Sequence, residues 1–300
     1  MSETAHDTSD VVVVGGGPAG CSAAVFTARY GLDTTVFDRG QSSLQRCAYL
    51  ENYLGFPAGI DVGTFYDLIH DHVEASGADL VPDMVRSVER ATDGGFVVEP
   101  QEGEAVRAKR VVAATRQGAD YLRPVVGEAA FDEYVHDGET YERFDPEYAD
   151  RDGSTPVDGL YVASPGGETD VQVVVAAGRG AHVARTALAD ARRERGYPDD
   201  LAAHYDWRRS EAELTGEWAD RDRWRELFAE RTPDDHGLDE ERAVDLRERE
   251  IDRRFDTYID DEAVGARTER GQDRLLEHID DDRILAAARE IETEHAADSD

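Results

Sequence analysis

Apolar residues along this chain recur with two periods, and the switches between them mark out an order of elements. Val11, Val12, Val13 and Val14 are four consecutive β-branched residues, the pattern of a strand buried on both faces of a parallel sheet. Residues 19–30, rich in alanine, predict a helix, and residues 34–37 a second strand. Phe65, Leu68, Ile69, His72 and Val73 fall at helical spacing between Gly63 and Gly77. Short alternating runs at 84–88, 95–99 and 105–107, parted by turn residues at Asp93-Gly94-Gly95 and Gly103, predict a three-stranded antiparallel meander. Residues 109–114 and 159–163 predict two more parallel strands, and a long helix is expected from about 171 to 195. The fold class is therefore α/β: a Rossmann-like parallel sheet carrying the meander.

Between the first strand and first helix lies Gly15-Gly16-Gly17-Pro18-Ala19-Gly20, in which Gly15, Gly17 and Gly20 give the spacing G-x-G-x-x-G. Gly15 permits the tight turn, Gly17 lets backbone approach a pyrophosphate, and Gly20 lets the helix pack on the strand. The helix then offers its N-terminal N–H groups and positive dipole end to the phosphates. Asp38, closing the second strand, stands where a carboxylate would accept ribose hydroxyls, with Arg39 beside it. These residues admit either NAD or FAD.

Residues 197–300 follow another pattern. They hold 34 of the 67 acids and 16 of the 33 bases, with no strand-like run. Leu214, Trp218, Trp224, Leu227 and Phe228, then Ile279, Ile284, Leu285 and Ile291, lie at helical spacings. Acidic amphipathic helices are expected, broken near Pro233 and Gly237 and near Gly271; the alternative is a disordered acidic tail, limited to 290–300. The expected domains are 1–196, a dinucleotide-binding unit, and 197–300, a helical extension that packs on it or mediates self-association.

Charge narrows the partners. The formal net charge is −34, and Lys109 is the only lysine. Such a surface repels polyanions, so direct nucleic-acid binding is not expected. An acidic, nearly lysine-free surface is similar to that of proteins from halophilic archaea, whose salt screens like charges. No run is long and apolar enough for a membrane span, and the polar residues 1–10 are unlike a signal peptide. Two cysteines, Cys21 and Cys47, make no disulfide framework, which fits a reducing cytoplasm.

Four passages in order carry a family resemblance: VVVVGGGPAG, LENYLGFPAGI, RVVAAT, and GLYVA with VQVVVAAGRGA. Over residues 10 to about 190 the chain resembles the flavin domain of the pyridine nucleotide–disulfide oxidoreductases, particularly the thioredoxin reductase branch. The resemblance implies bound FAD, with the pyrophosphate on Gly15, Gly17, Pro18, Ala19 and Gly20 and the ribose on Asp38. It places Asn52 at the flavin or ribityl chain, Thr115 beside the dinucleotide, and Gln172 near the ring at a helix start. The departures are equally specific. The family inserts a second nucleotide domain where this chain has only residues 115–158, without another glycine fingerprint. Its Cys-x-x-Cys is absent. Its Ala-Thr-Gly becomes Ala114-Thr115-Arg116, and its Gly-Asp pair falls at Ser164-Pro165, leaving Glu168 or Asp170 as substitute carboxylates.

Of the remaining candidates, Cys21 reads as a buried small hydrophobe. Cys47, beside Arg46, is the one candidate catalytic residue, although it lacks a resolving thiol. His70 and His72 sit two apart on a helix and do not converge, so they read as surface histidines and no metal site is expected. Ser42, Ser43 and Ser154 lack a nucleophile's context. Arg179 faces either a phosphate or solvent. The leading expectation is an FAD-binding oxidoreductase with an unidentified small-molecule or protein electron donor, leaving room for a homodimer. The alternatives are a flavin- or nucleotide-binding module without turnover, and an NAD-dependent enzyme.

Overall fold

The computed structural model describes residues 8–40, 42–116, 118–164, 172–232 and 237–298. Pro165, Glu168, Asp170, Val171, Pro233 and the last two residues lie outside the described residues. The chain forms two units: Met1–Asp206 with Arg231–Leu238, and Trp207–Glu230 with Asp239–Asp300.

In the first unit β1 (Thr8–Val14), α1 (Pro18–Tyr30) and β2 (Thr34–Phe37) make the expected βαβ start. A short ladder, β3 (Tyr49–Leu50) and β4 (Ile60–Asp61), leads into α2 (Val62–Ala75) and β5 (Asp79–Val81). Next come β6 (Val85–Arg90), β7 (Phe96–Pro100) and β8 (Val106–Ala114). After a turn at 119–122 follow α3 (Arg123–Val126), the hairpin β9 (Phe131–His136) and β10 (Glu139–Phe144), then β11 (Leu160–Ser164), α4 (Val173–Glu194) and α5 (Asp199–Ala202). The main sheet runs β5-β2-β1-β8-β7-β6, with β11 also on β8. β5, β2, β1, β8 and β11 are mutually parallel, and β6-β7-β8 is antiparallel.

The four valines of β1 are buried because side chains alternate across a strand covered on both sides. Val11 and Val13 join Ala23, Ala24, Val183 and Ala187 under α1 and α4. Val12 and Val14 join Phe96, Val98, Leu122 and Phe144 on the other face. Each buried valine contributes about 1.5–3 kcal/mol. The second layer comes from the meander and the short 119–148 segment.

One expectation is corrected here. The meander's last strand (105–107) and the following parallel strand (109–114) are a single strand, β8. Its start pairs antiparallel with β7 through Val106–Ala108, and its end pairs parallel with β11 from Val111. No turn residue interrupts 106–114, and β1 supports it along the opposite edge.

α1 begins with Pro18 in its first turn and stops at Gly31, whose φ of 91° lets its N–H reach back to Ala28 O and Thr27 O. α4 crosses α1 at Gly180, where a Cβ would lie 1.9 Å from Ala19 O. That close approach sets where α4 begins. The first unit also continues past residue 196. Arg192, fully buried, donates to Tyr30 Oη at 3.2 Å and to Leu201 O at 2.7 Å, tying α5 to α1 and α4.

The second unit holds β12 (Arg209–Ser210), α6 (Arg221–Arg231), α7 (Glu240–Phe255), β13 (Tyr258–Ile259), α8 (Asp261–Leu276) and α9 (Asp281–Ala297). Phe228, Leu246 and Ile251 are its buried apolar residues, and Arg225 makes a two-pronged ion pair with Glu248 at 2.9 Å on each arm. The break expected near Gly271 is absent. α8 runs through Gly265 and Gly271, since an exposed helical glycine costs only about 1 kcal/mol. The break falls instead before Asp280, which caps α9 by accepting from Arg283 N. α9 stays helical to Ala297, in keeping with the helical reading of this region and not with a disordered tail from 290.

Candidate functional site

The glycines after β1 divide the work of building a cradle. Gly15 has φ 115°, and a Cβ there would stand 2.7 Å from Ala114 O. At Gly20 a Cβ would stand 1.8 Å from Gly15 O, so this glycine packs the helix onto the loop, beneath the cradle. Gly16, which sequence reasoning passed over, lets Asp38 come close, because its Cβ would meet Asp38 Cβ at 2.4 Å. Gly17 differs from all three: its nearest neighbour would be Ser42 Oγ at 3.7 Å. It has an allowed φ of −80° and needs no glycine for the chain's own sake.

Gly15, Gly16, Gly17, Pro18 and Ala19 line a cleft of about 810 Å³, within the roughly 300–1,000 Å³ of small-molecule sites. Asp38 and Arg39 form one flank of it, and Thr115 and Ser164 another. Four arginines (Arg39, Arg46, Arg86, Arg116) and three aspartates (Asp38, Asp83, Asp120) are among the lining residues. The aspartates are already engaged. Asp83 accepts from the N–H groups of Met84, Glu102 and Gly103, Asp120 pairs with Arg123, and Asp38 Oδ1 accepts from Gly40 N at 3.0 Å. In a chain of net charge −34, this cleft suits an anion.

His70 is not the surface histidine expected from its spacing. From α2 it reaches under the loop, with Nε2 2.9 Å from Gly16 O and 3.4 Å from Asp38 Oδ2. Its side chain is only 25% exposed, and that of Asp38 14%. The overlooked signal lay in its neighbours: Tyr66 one turn before and Val73 three residues after share its face. The Tyr66 ring meets the His70 ring edge-on at 5.6 Å, and burial pushes the Tyr66 phenol up to about 12. His72, by contrast, is exposed, as its spacing predicts; desolvation, followed by the charge of Arg29, lowers its pKa.

At the other end, Thr115 shares a 3.1 Å hydrogen bond with Tyr121, a lining residue with no sequence signal of its own. Asn52 Nδ2 donates to Gln172 Oε1 at 2.8 Å, joining two expected site residues 120 positions apart. Neither lines the cleft itself, but Val173, next to Gln172, does. Gln172 is the N-cap residue of α4, so the Gly180 crossing sets its position. The LENYLGFP passage folds as an aromatic knot, Tyr53 meeting Phe65 at 4.9 Å and Phe56 meeting it at 6.4 Å. Ser164 is buried at the end of β11, and its neighbour Pro165 lies outside the described residues.

Cys47 is exposed and lines the cleft beside Arg46. Cys21 is buried, its Sγ donating to Gly16 O at 3.2 Å, and burial pushes its thiol far up. Arg179, half-buried, donates to Arg151 O at 3.1 Å and Val162 O at 3.2 Å, bracing the loop before β11. Ser42 caps the 43–46 turn, and Ser154 donates to Asp152 at 2.6 Å, both local turn contacts.

Residues 9–153 match the family model described as pyridine nucleotide-disulphide oxidoreductase. A thioredoxin reductase from Streptomyces clavuligerus is 36% identical over 112 residues, covering 36% of this chain and 34% of that one. A thiamine thiazole synthase from Sulfolobus acidocaldarius is 36% identical over 118 residues, covering 39% and 38%. The chain thus spans about a third of the length of these curated relatives. Among solved structures, a thioredoxin reductase from Gloeobacter violaceus superposes with a TM-score of 0.52 at 18% identity, covering 67% of this chain and 98% of that one, a likeness of fold. Residues 9–153 are thus similar in sequence to the pyridine nucleotide-disulphide oxidoreductase family model and, over about 112 residues, to thioredoxin reductases.

Proposed function

We propose that the cleft binds FAD and that the protein is a flavin-dependent oxidoreductase whose electrons come from a diffusible small molecule or a partner protein. The observation that carries this reading is the contrast at the cradle. Gly16 is filled by the chain's own Asp38, whereas Gly17 opens onto an arginine-bordered cleft. The residues fit the cofactor. Backbone N–H groups of Gly16, Gly17 and Ala19 at the α1 N-terminus suit its pyrophosphate, and Asp38 suits the adenosine ribose. Thr115, Asn52 and Gln172 stand toward the flavin end. When bound, the flavin supplies the hydride or electron chemistry. The protein's share is to hold the phosphates, orient the ring beside Thr115 and the start of α4, and keep the adenosine end anchored.

Residues 115–158 contain no second glycine fingerprint, and 119–148 pack on the sheet's second face through Leu122, Ala130 and Phe144. This supports an electron donor other than a nicotinamide held in a second Rossmann domain of the same chain. Cys47, at the cleft without a resolving thiol, is a candidate contact for the acceptor. The net charge of −34 with one lysine supports a salt-rich cytoplasm, and no described helix is long and apolar enough to cross a membrane.

The test is to purify the protein in high KCl, load it with FAD and record the visible spectrum before and after NADH, NADPH and dithionite. A yellow protein bleached by a reductant and reoxidised by an acceptor supports the proposal. A protein that takes up no FAD overturns it. A yellow protein that no acceptor reoxidises is a binding module without turnover.

A further inference from the structure

His70 joins the two halves of the cradle from behind. Its Nε2 faces two oxygens, Gly16 O at 2.9 Å and Asp38 Oδ2 at 3.4 Å. Both are acceptors, so Nε2 carries the hydrogen; a lone pair there would face two like charges. Gly16 O accepts from Cys21 Sγ as well, so donors from α1 and α2 clamp this carbonyl. In a trans peptide the Gly17 N–H points opposite to that carbonyl, so fixing one aims the other. On the second oxygen, the same Nε2–H screens the Asp38 carboxylate from the Gly16 carbonyl. Gly40 N holds Asp38 Oδ1, and each carboxylate oxygen keeps a lone pair for a ligand hydroxyl.

We propose that His70 is a positioning residue that couples the phosphate loop to the ribose acid, through one N–H shared between Gly16 and Asp38. This rests on the dinucleotide reading of the cleft. His70 touches neither ligand nor reacting atoms. Without it, Gly16 O and Asp38 Oδ2 are two neighbouring acceptors with one donor fewer, so the carboxylate turns away and the loop peptide loses a clamp.

A double-mutant cycle tests this, with FAD affinity read by quenching of flavin fluorescence. His70→Ala weakens FAD binding about tenfold in the native background, but less than about twofold in an Asp38→Ala background. His70→Gln, whose side-chain amide supplies an N–H at similar reach, recovers most of the loss and guards against misfolding of the alanine variant. Equal losses in both backgrounds would mean that His70 serves only the fold, and would overturn the proposal. ADP, which carries the ribose and phosphates without the flavin, goes through the same cycle. Coupling with ADP in a protein that rejects FAD would overturn the flavin reading and leave His70's role standing. An additive cycle with either ligand, or no binding of both, overturns the role itself.

Discussion

Asn52 Nδ2 donates to Gln172 Oε1 at 2.8 Å, closing the loop after β3 onto the first turn of α4. The bond is solvent-exposed, so its worth to stability is small, about 0.5–1 kcal/mol. Asn52→Ala and Gln172→Ala are each expected to leave the unfolding midpoint nearly unchanged. Both should weaken FAD binding, and the double variant should lose no more than either single one. Equilibrium denaturation beside FAD titration checks this.

Gly180 is where the fold sets the site. A Cβ there would stand 1.9 Å from Ala19 O, and backbone cannot swing aside as a side chain can. Gly180→Ala is expected to destabilise the first unit by about 2–3 kcal/mol, read by chemical denaturation. Gly178→Ala, one residue before Arg179 and with nothing within 4 Å, is the control and should be neutral or slightly stabilising.

The two thiols should separate cleanly. Cys47 is exposed and Cys21 is buried with its thiol pushed far up, so the native protein should react with one equivalent of an alkylating reagent and the unfolded protein with two. Bound FAD is expected to slow the Cys47 reaction, since that residue lines the cleft.

In the second unit Arg225, with Arg247, holds the Glu248 carboxyl down at about 2, below its usual 4.5. A carboxyl depressed in the folded state contributes stability above its unfolded pKa and loses it as pH falls through the folded one. The loss therefore belongs between about pH 4.5 and about 2. The pair is partly exposed and screened by solvent, so its contribution is small. Glu248→Gln should flatten the acid limb of this unit's unfolding profile without moving its neutral-pH midpoint by more than a few degrees.

The net charge of −34 predicts a strong salt response. Between about 0.1 M and 1 M KCl the screening length falls from about 10 Å to about 3 Å, so self-repulsion fades. Thermal midpoints should climb steeply over that range and be nearly flat above it. A midpoint independent of salt would remove the high-salt reading.

Much of this was legible in sequence, for reasons that differ by residue. Val11 to Val14 announce a strand buried on both faces because the period of two is erased when both sides are covered. Gly15 and Gly20 were readable because backbone geometry leaves few residues for those positions, and Gly17 because a pyrophosphate needs close approach to backbone. Gly16 was not: its need arises from Asp38, 22 residues away. His70 was misread because helical spacing describes the helix's own faces and says nothing of a loop lying across them. Tyr121 and the Asn52–Gln172 bond depend on which elements pack together, and that contact is nonlocal. The division of β8 into two strands failed because one edge of that strand changes partner while the other does not.

Gly17 is where the chain leaves space it does not use. Titrating FAD into native protein and Gly17→Val, with unfolding followed on the same samples, tests most directly whether FAD takes that space. One FAD per native chain is expected, and for Gly17→Val a loss of binding of about a hundredfold or more with stability within about 1 kcal/mol of native. Equal FAD affinity in the two proteins would contradict it.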